Sequence, residues 1–158
     1  FSVEEWGLKG SACYTDELAA EERQRIAVDL NLDCVAGSAN FTWVLNGFPD
    51  LAPFLQGVAR DIGFPVGISY QIAANSDHYN FVRHGVPGIR LMSGYEEPDC
   101  AIKYILSPGD TLDKVRESDL KMAAFITSQT ALAACQHPGP VARHRSADEM
   151  RALLGTFV

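Results

Sequence analysis

The sequence predicts an α/β fold in which a largely parallel or mixed sheet is flanked by helices. Three observations favour this class: short strand patterns alternate with helical patterns along the chain, no internal repeat is present, and no low-complexity linker interrupts the series. The chain has 158 residues and is 47% hydrophobic, which is typical of one globular unit with a core. We therefore expect a single layered domain.

An opening strand is expected to end at two adjacent carboxylates, Glu4 and Glu5. Gly7 and Gly10 follow and let the backbone turn, so that both carboxylates can enter one site. A solvated strand end is the alternative, because most charged residues lie on the surface. The chain begins with Phe1 rather than Met, already inside this predicted strand, and we expect it to be part of a longer protein.

The later elements follow from apolar periodicity, helix-capping residues, and glycine or proline stop signals. In the first half they are a helix over residues 17–25 after a Thr-Asp cap, strands over 26–33 and 41–47, a helix over 51–62 and a strand over 66–72. In the second half they are a short helix from 76 to 85, a buried strand over 89–92, a long helix capped at Ser118, and a short helix over 146–154.

Composition argues against two classes of partner. A net charge of -7, with 13 Lys and Arg scattered along the chain, leaves no basic stripe for nucleic acid. No apolar run approaches the ~20 residues that cross a bilayer, so we expect no membrane association. The four cysteines are too far apart for a CxxC motif, although their even number permits disulfides. Cytoplasmic, periplasmic and secreted locations all stay open.

Three carboxylates are expected to meet at one edge of the sheet. Glu4 and Glu5 end the first predicted strand and Asp33 ends the second, and working groups in open α/β sheets gather at the carboxyl ends of strands. Carboxylate oxygens can bind Zn²⁺, and a carboxylate outside the ligand set can take a proton from metal-bound water. This pattern indicates a metal-dependent hydrolase.

Four segments resemble, in order, the co-catalytic di-zinc aminopeptidases, whose relatives include glutamate carboxypeptidases and glutaminyl cyclases. The segments are FSVEEWGLKGS, NLDCVAGS, SDHYNFVRHGVPG and SPGDTLDKV, and the resemblance runs from residue 1 to about residue 134. It implies a zinc-exopeptidase-like three-layer sandwich that is incomplete at its N-terminus. Residues 1–135 would be the C-terminal portion of a catalytic domain, and residues 136–158 a tail with a short helix.

The resemblance also implies roles for individual residues. Glu4 would be the general base, Glu5 would bind one zinc ion, and Asp33 would bind the other. The segment that contains Asp77 and His78 lines the active-site region in the family, so both are pocket candidates. Helix capping is the alternative for Asp77.

The chain departs from the family pattern in two ways. The family takes a His and a metal-bridging Asp from a region upstream of the Glu-Glu pair, and residues 1–158 contain no such region. The family's last zinc ligand is a His four residues before the Asp of a DT motif, where this chain has Leu106. His78 is the candidate replacement ligand, or a group that Asp77 holds beside the metal. Tyr104 is a candidate contact to substrate or to a developing oxyanion, with a packed tyrosine as the alternative.

The leading interpretation is a metal-dependent exopeptidase, an aminopeptidase that hydrolyses N-terminal peptide bonds of peptide or amino-acyl substrates with metal-activated water. We expect two zinc ions per complete site, and little or no zinc or activity for these 158 residues alone. Two alternatives are a non-catalytic peptidase-like binding or assembly domain, which Leu106 favours, and a related zinc acyl-transferase or cyclase. An incomplete sheet would expose an unpaired edge, so we also expect self-association or a companion N-terminal segment.

Overall fold

The fold is built on a mixed sheet. The computed structural model of the chain describes residues 1–155, and its strands are β1 (Asp29–Leu32), β2 (Phe41–Val44), β3 (Val66–Ser69) and β4 (Gly88–Ser93). The strand order is β1-β4-β2-β3, in which β1 pairs parallel with β4 and β2 pairs parallel with β3. Strands β2 and β4 are antiparallel. The predicted α/β class with a mixed sheet is confirmed.

Helices flank this sheet. In the described part of the chain they are α1 (Lys9–Glu17), α2 (Ala20–Gln24), α3 (Ala52–Asp61), α4 (His78–Val82), α5 (Glu117–Gln136) and α6 (Ala147–Leu154). Helices α3 and α5 pack on each other, α3 contacts β3, and α5 contacts β4. Helix α4 packs on β1 and β4, and α1 packs on α4. The α1–α4 pair therefore borders the strands that were expected to carry the site.

Strand β4 is buried along its whole length, and its two faces differ in character. Ile89 and Leu91 belong to the apolar core. Gly88 and Arg90 alternate with them and lie on the face toward α4. A Cβ atom at Gly88 would lie 2.9 Å from a methyl carbon of Val82, so glycine allows α4 to approach the strand closely. Arg90 therefore places a charged side chain on the face of the sheet that packs against α4.

The opening strand is absent, and that prediction is wrong. Glu4–Trp6 forms a single 3₁₀ turn. Val3 and Leu8, on either side of it, have φ angles of 59° and 57°. These values are left-handed, which a strand cannot accommodate and which β-branched residues rarely adopt. The backbone therefore turns before and after the carboxylate pair, so that Glu4 and Glu5 lie on a compact turn rather than at a strand tip.

The predicted helix over residues 17–25 is replaced by α1 and α2. Thr15 and Asp16, the expected cap, lie inside α1. The Thr15 hydroxyl donates to the Ser11 carbonyl oxygen at 2.9 Å, which satisfies it within the helix. The break between the two helices comes at Leu18, whose ψ of 134° is extended.

The start of α5 also differs from the prediction. The helix begins at Glu117, so Ser118 lies in its first turn and does not cap it. The buried Asp119 carboxylate accepts hydrogen bonds from the Gly37 N–H and the Arg116 Nε, each at 2.9 Å. This carboxylate fixes α5 to the loop that follows β1.

The tail after α5 packs into the same core as the sheet. Val141 and Met150 are buried members of that core. The short helix is confirmed as α6, and Ser146 caps it. The Arg145 N–H donates to the Gly85 carbonyl at 2.9 Å, and a Cβ atom at Gly85 would lie 2.0 Å from the Arg145 carbonyl oxygen. The division of the chain at residue 135 stays a prediction, and residues 156–158 of the predicted tail lie outside the described residues.

The structure bears on two expectations from the sequence, one about membrane-spanning helices and one about disulfides. No helix within residues 1–155 is both long and apolar enough to span a bilayer. Cys13, Cys34, Cys100 and Cys135 are all free thiols. The even cysteine count therefore does not correspond to disulfides in this structure.

Asp29 is an unusual residue at the start of β1. It pairs with Gly88 across the parallel strands, and its Oδ2 atom is shielded from solvent without a hydrogen-bond partner. Burial, followed by the charge of Asp77, raises the pKa of Asp29 to about 7. The ionised form of this side chain therefore opposes folding.

We expect Asp29→Asn to stabilise the fold at alkaline pH. The folded pKa of about 7 lies above the ~3.9 of an unfolded aspartate, so the carboxylate costs stability increasingly as the pH rises from about 4 past 7. The substitution should raise the free energy of unfolding by about 1–3 kcal/mol near pH 8 and by less than about 0.5 kcal/mol near pH 4. Urea denaturation at both pH values measures this, and an equal effect at the two would contradict it.

Candidate active site

The turn that carries Glu4 and Glu5 borders an open pocket of about 430 Å³. The opposite wall is the segment that leads into α4. The lining residues are Glu4, Glu5, Gly7, Leu8, Ala74, Asn75, Tyr79 and Asn80. Two carboxylic and two carboxamide residues thus line one opening together with apolar residues such as Leu8 and Ala74.

Buried hydrogen bonds hold this turn against α4. The Ser11 hydroxyl donates to Asp77 Oδ1 at 2.5 Å. The Asn80 amide donates to Ser11 Oγ at 2.8 Å and to the Leu8 carbonyl at 3.2 Å. Asp77 makes no side-chain capping bond to α4, so the capping alternative is wrong and its carboxylate holds α1 instead. Because Leu8 follows the Glu4–Trp6 turn closely, these bonds fix the position of the turn.

Asp33, the residue after β1, forms an ion pair with Arg90. The Arg90 Nη2 atom lies 2.8 Å from Asp33 Oδ2, and its Nη1 atom donates to Asn75 Oδ1 at 2.9 Å. The Cys34 thiol donates to Asp33 Oδ1 at 3.3 Å. Both carboxylate oxygens of Asp33 therefore have partners within the protein.

Glu4 lies in the field of three other carboxylates. Its pKa is raised, first by desolvation and then by the negative charges of Glu5, Asp33 and Asp77, while Arg90 acts in the opposite direction. These groups therefore share one electrostatic neighbourhood. A raised pKa makes a carboxylate a stronger proton acceptor.

The His78 ring is buried and hydrogen-bonded through both of its nitrogen atoms. Its Nδ1 atom accepts a hydrogen bond from the Asn31 amide at 3.2 Å, and its Nε2 atom donates to the Ala73 carbonyl at 2.9 Å. Burial lowers the pKa of His78 to about 4, so the ring is neutral at pH 7. Because both ring nitrogens are engaged, this geometry gives no support to the expectation that His78 replaces a metal ligand.

The other two candidate positions lie in the segment after β4. Leu106 is 80% exposed and has a left-handed φ of 56°, so it is not part of the core. The Tyr104 ring is close to two ammonium groups, with Lys103 Nζ at 5.5 Å and Lys114 Nζ at 5.2 Å from its centre. Tyr104 is not among the residues that line the pocket beside Glu4 and Glu5.

Sequence reasoning missed three residues that shape the site: Ser11, Asn75 and Arg90. Arg90 carried a usable signal, because a charged residue inside a predicted buried strand needs a partner of opposite charge. Ser11 and Asn75 carried none, since their partners are distant in the sequence.

The residues that the structure describes do not complete a zinc site. Within residues 1–155, no group of three or more His, Cys, Asp or Glu side chains is arranged to hold a metal ion. Position 106 offers leucine instead of imidazole, and the Asp33 carboxylate is ion-paired with Arg90. Protein zinc sites usually have three or four protein ligands, and the donors present fall short of that number.

Comparison with known protein families matches residues 1–131 to peptidase family M28. The chain belongs to this family. The M28 match includes the Glu4–Glu5 turn, Asp33 and the segment that contains Leu106. The resemblance to zinc aminopeptidases that the sequence motifs indicated is therefore confirmed.

The chain is similar to two curated proteins, an aminopeptidase and a leupeptin-inactivating enzyme. The chain is 25% identical over 143 residues to Aminopeptidase YwaD of Bacillus subtilis, an alignment that covers 81% of this chain and 29% of that protein. It is 30% identical over 94 residues to Leupeptin-inactivating enzyme 1 of Streptomyces exfoliatus, with 60% of this chain and 22% of that protein covered. The chain thus spans less than a third of either relative.

Solved structures show the same fold. The zinc aminopeptidase BSAP from Bacillus subtilis superposes with a TM-score of 0.73 at 26% identity, over 85% of this chain and 34% of BSAP. The aminopeptidase of Aneurinibacillus sp. strain AM-1 superposes with a TM-score of 0.66 at 24% identity, over 93% of this chain and 33% of that enzyme. The predicted zinc-exopeptidase-like architecture is confirmed for the part of the fold that the chain covers.

We expect His78→Leu to destabilise the chain in the absence of metal. The substitution removes two hydrogen bonds and leaves the Ala73 carbonyl without its partner, so the free energy of unfolding should fall by about 2–4 kcal/mol. Urea denaturation should give the same loss with EDTA and with zinc. The exposed His137, changed to leucine, is the control and should cost less than about 1 kcal/mol. A loss seen only with zinc would instead indicate a metal ligand.

Proposed function

We propose that the chain forms the C-terminal portion of the catalytic domain of a metal-dependent aminopeptidase, an exopeptidase that hydrolyses N-terminal peptide bonds. Membership of peptidase family M28 supports the reaction class, and the similarity to a Bacillus subtilis zinc aminopeptidase supports zinc as the metal. The observation that carries the proposal is Glu4, a carboxyl group of raised pKa on a pocket-lining turn beside Glu5 and within the field of Asp33.

Under this proposal Glu4 accepts and releases the proton of the reaction. Glu5 and Asp33 are carboxylates that belong to two different metal positions. Zinc, when bound, supplies a water molecule whose pKa is lowered toward ~7. Residues 1–158 alone offer too few ligands for either ion, so the remaining ligands come from another part of a longer polypeptide or from a companion chain.

The substrate class follows from the same proposal. An aminopeptidase acts on peptides or amino-acyl compounds with a free N-terminus, and a cluster of carboxylates provides negative potential for an α-ammonium group. Glu4 and Glu5 line the open pocket, where such a group would be attracted. The net charge of -7 adds to this preference for a cationic end group.

We expect zinc content and activity to differ sharply between this chain and a longer gene product. The 158-residue chain should hold no stoichiometric zinc and should not hydrolyse an amino-acyl p-nitroanilide. The longer product should bind stoichiometric zinc and hydrolyse this substrate. Glu4→Gln should lower the kcat of the longer product by about 10²–10⁴-fold and leave its zinc content unchanged, because only the proton acceptor is lost. Elemental analysis and a colorimetric assay measure these values. Tight zinc binding by the 158-residue chain would contradict the inference that its residues offer too few ligands for either ion.

A second candidate is a peptidase-like domain that binds partners without catalysis. Leu106 and the Asp33–Arg90 ion pair favour it, because each alters a position that the family resemblance assigns to metal binding. A protein can keep its fold after it has lost catalytic activity, so the fold alone does not separate the two candidate functions. The carboxylates Glu4, Glu5 and Asp33, all present, favour the first.

Leu106→His separates the two candidates. Histidine tolerates the left-handed φ of this exposed position at least as well as leucine, so the free energy of unfolding should change by less than about 0.5 kcal/mol. If the longer product is an aminopeptidase, the added imidazole should increase its zinc content and its hydrolysis rate. Leu112→His, at a position 85% exposed, is the matched control and should change neither. A Leu106→His protein with neither gain would support the binding-domain candidate.

A further inference from the structure

Arg90 is a cationic side chain held inside the domain. Among residues 1–155 it is the only Lys or Arg that is fully buried, with 4% of its surface exposed. It lies in β4, between β1 and β2, on the face toward α4. Burial of a guanidinium is costly unless it is ion-paired and hydrogen-bonded, so its partners determine whether the strand is stable.

The partners of Arg90 include Asn75, which lines the pocket beside Glu4 and Glu5, and Asp33, the predicted metal ligand. Nη2 contacts Asp33 Oδ2 at 2.8 Å and Cys34 Sγ at 3.8 Å, and Nη1 donates to Asn75 Oδ1 at 2.9 Å. The Nε atom is shielded from solvent and has no hydrogen-bond partner. Within the described part of the chain, Asp33 is therefore the carboxylate that directly neutralises this buried charge.

We propose that Arg90 is the resident counter-ion of Asp33, and that a metal ion reaches Asp33 only by displacing this guanidinium. Oδ2 of Asp33 is held by Arg90 and Oδ1 accepts from the Cys34 thiol, so no oxygen of this carboxylate is without a partner. A metal cation beside Asp33 would also lie close to a like charge, which repels it. The relevance of a metal rests on the proposed function, whereas the ion pair itself is a property of the metal-free chain.

The first test is a double-mutant cycle on the 158-residue chain in EDTA. Asp33→Asn leaves a buried guanidinium without its counter-charge and should lower Tm by about 6–12 °C. Adding Arg90→Met removes that unpaired charge, and the double variant should recover at least half of the loss. Asp99→Asn is the control, because Asp99 forms an ion pair with Lys103 at the surface, where its side chain is 99% exposed, and Tm should change by less than about 2 °C.

The second test titrates ZnCl₂ against thermal unfolding of the wild-type chain, Arg90→Met and Arg90→Lys. Removal of the charge should lower the zinc concentration at half-maximal Tm increase by at least about tenfold in Arg90→Met. Arg90→Lys keeps the charge and should resemble the wild type. The Asp33→Asn/Arg90→Met chain should lose the zinc response, because the carboxylate that receives the ion is gone.

Coupling between positions 33 and 90, together with a half-maximal zinc concentration at least about tenfold lower in Arg90→Met than in the wild-type chain, supports the proposal. Additive effects of the two substitutions, an equal zinc response with and without Arg90, or no zinc response in any variant would each overturn it. The proposed function fails separately, if a longer gene product contains no zinc and does not hydrolyse amino-acyl substrates, because neither test above measures activity.

Discussion

The position of β4 between β1 and β2 constrains the rest of the domain. A strand that is buried on both faces needs a partner for every side chain, and β4 meets this need in two different ways. Ile89 and Leu91 face the apolar core, whereas Gly88 admits α4 and Arg90 requires a carboxylate. The arrangement of the polar residues around the candidate site therefore depends on the charge that this strand carries.

Much of the fold could be predicted because its signals are local. Alternation in the 26–33 segment separated Leu30 from Asp29, Asn31 and Asp33, and in the structure Leu30 packs against the core while Asn31 meets His78. The opening strand could not be predicted correctly, because left-handed backbone at valine and leucine has no local sequence signal. The boundaries of α1 and α2 were missed for a related reason, since Thr15 resembles a cap but bonds back within its helix.

The candidate site was only partly predictable for a different reason. Carboxylates are recognisable by type and spacing, so Glu4, Glu5 and Asp33 could be selected from the sequence. The contacts that position them join residues far apart in the chain, such as Ser11 with Asp77. Residue type and neighbours also did not indicate the environment of His78, which is buried and has both ring nitrogens hydrogen-bonded, so its role as a metal ligand stays a prediction. Three-dimensional context decides such cases.

The tail shows which part of the chain could be exchanged as a unit. Val141 and Met150 fill the interior beside the sheet, and the carbonyl of Arg145 occupies the space that any side chain at Gly85 would need. Recombination between related genes at residue 135 would therefore combine a sheet and a tail whose contacting side chains are not complementary. Cavities in the core and exposed apolar residues of the tail would result. Crossovers that keep the strands and the tail together would preserve the fit.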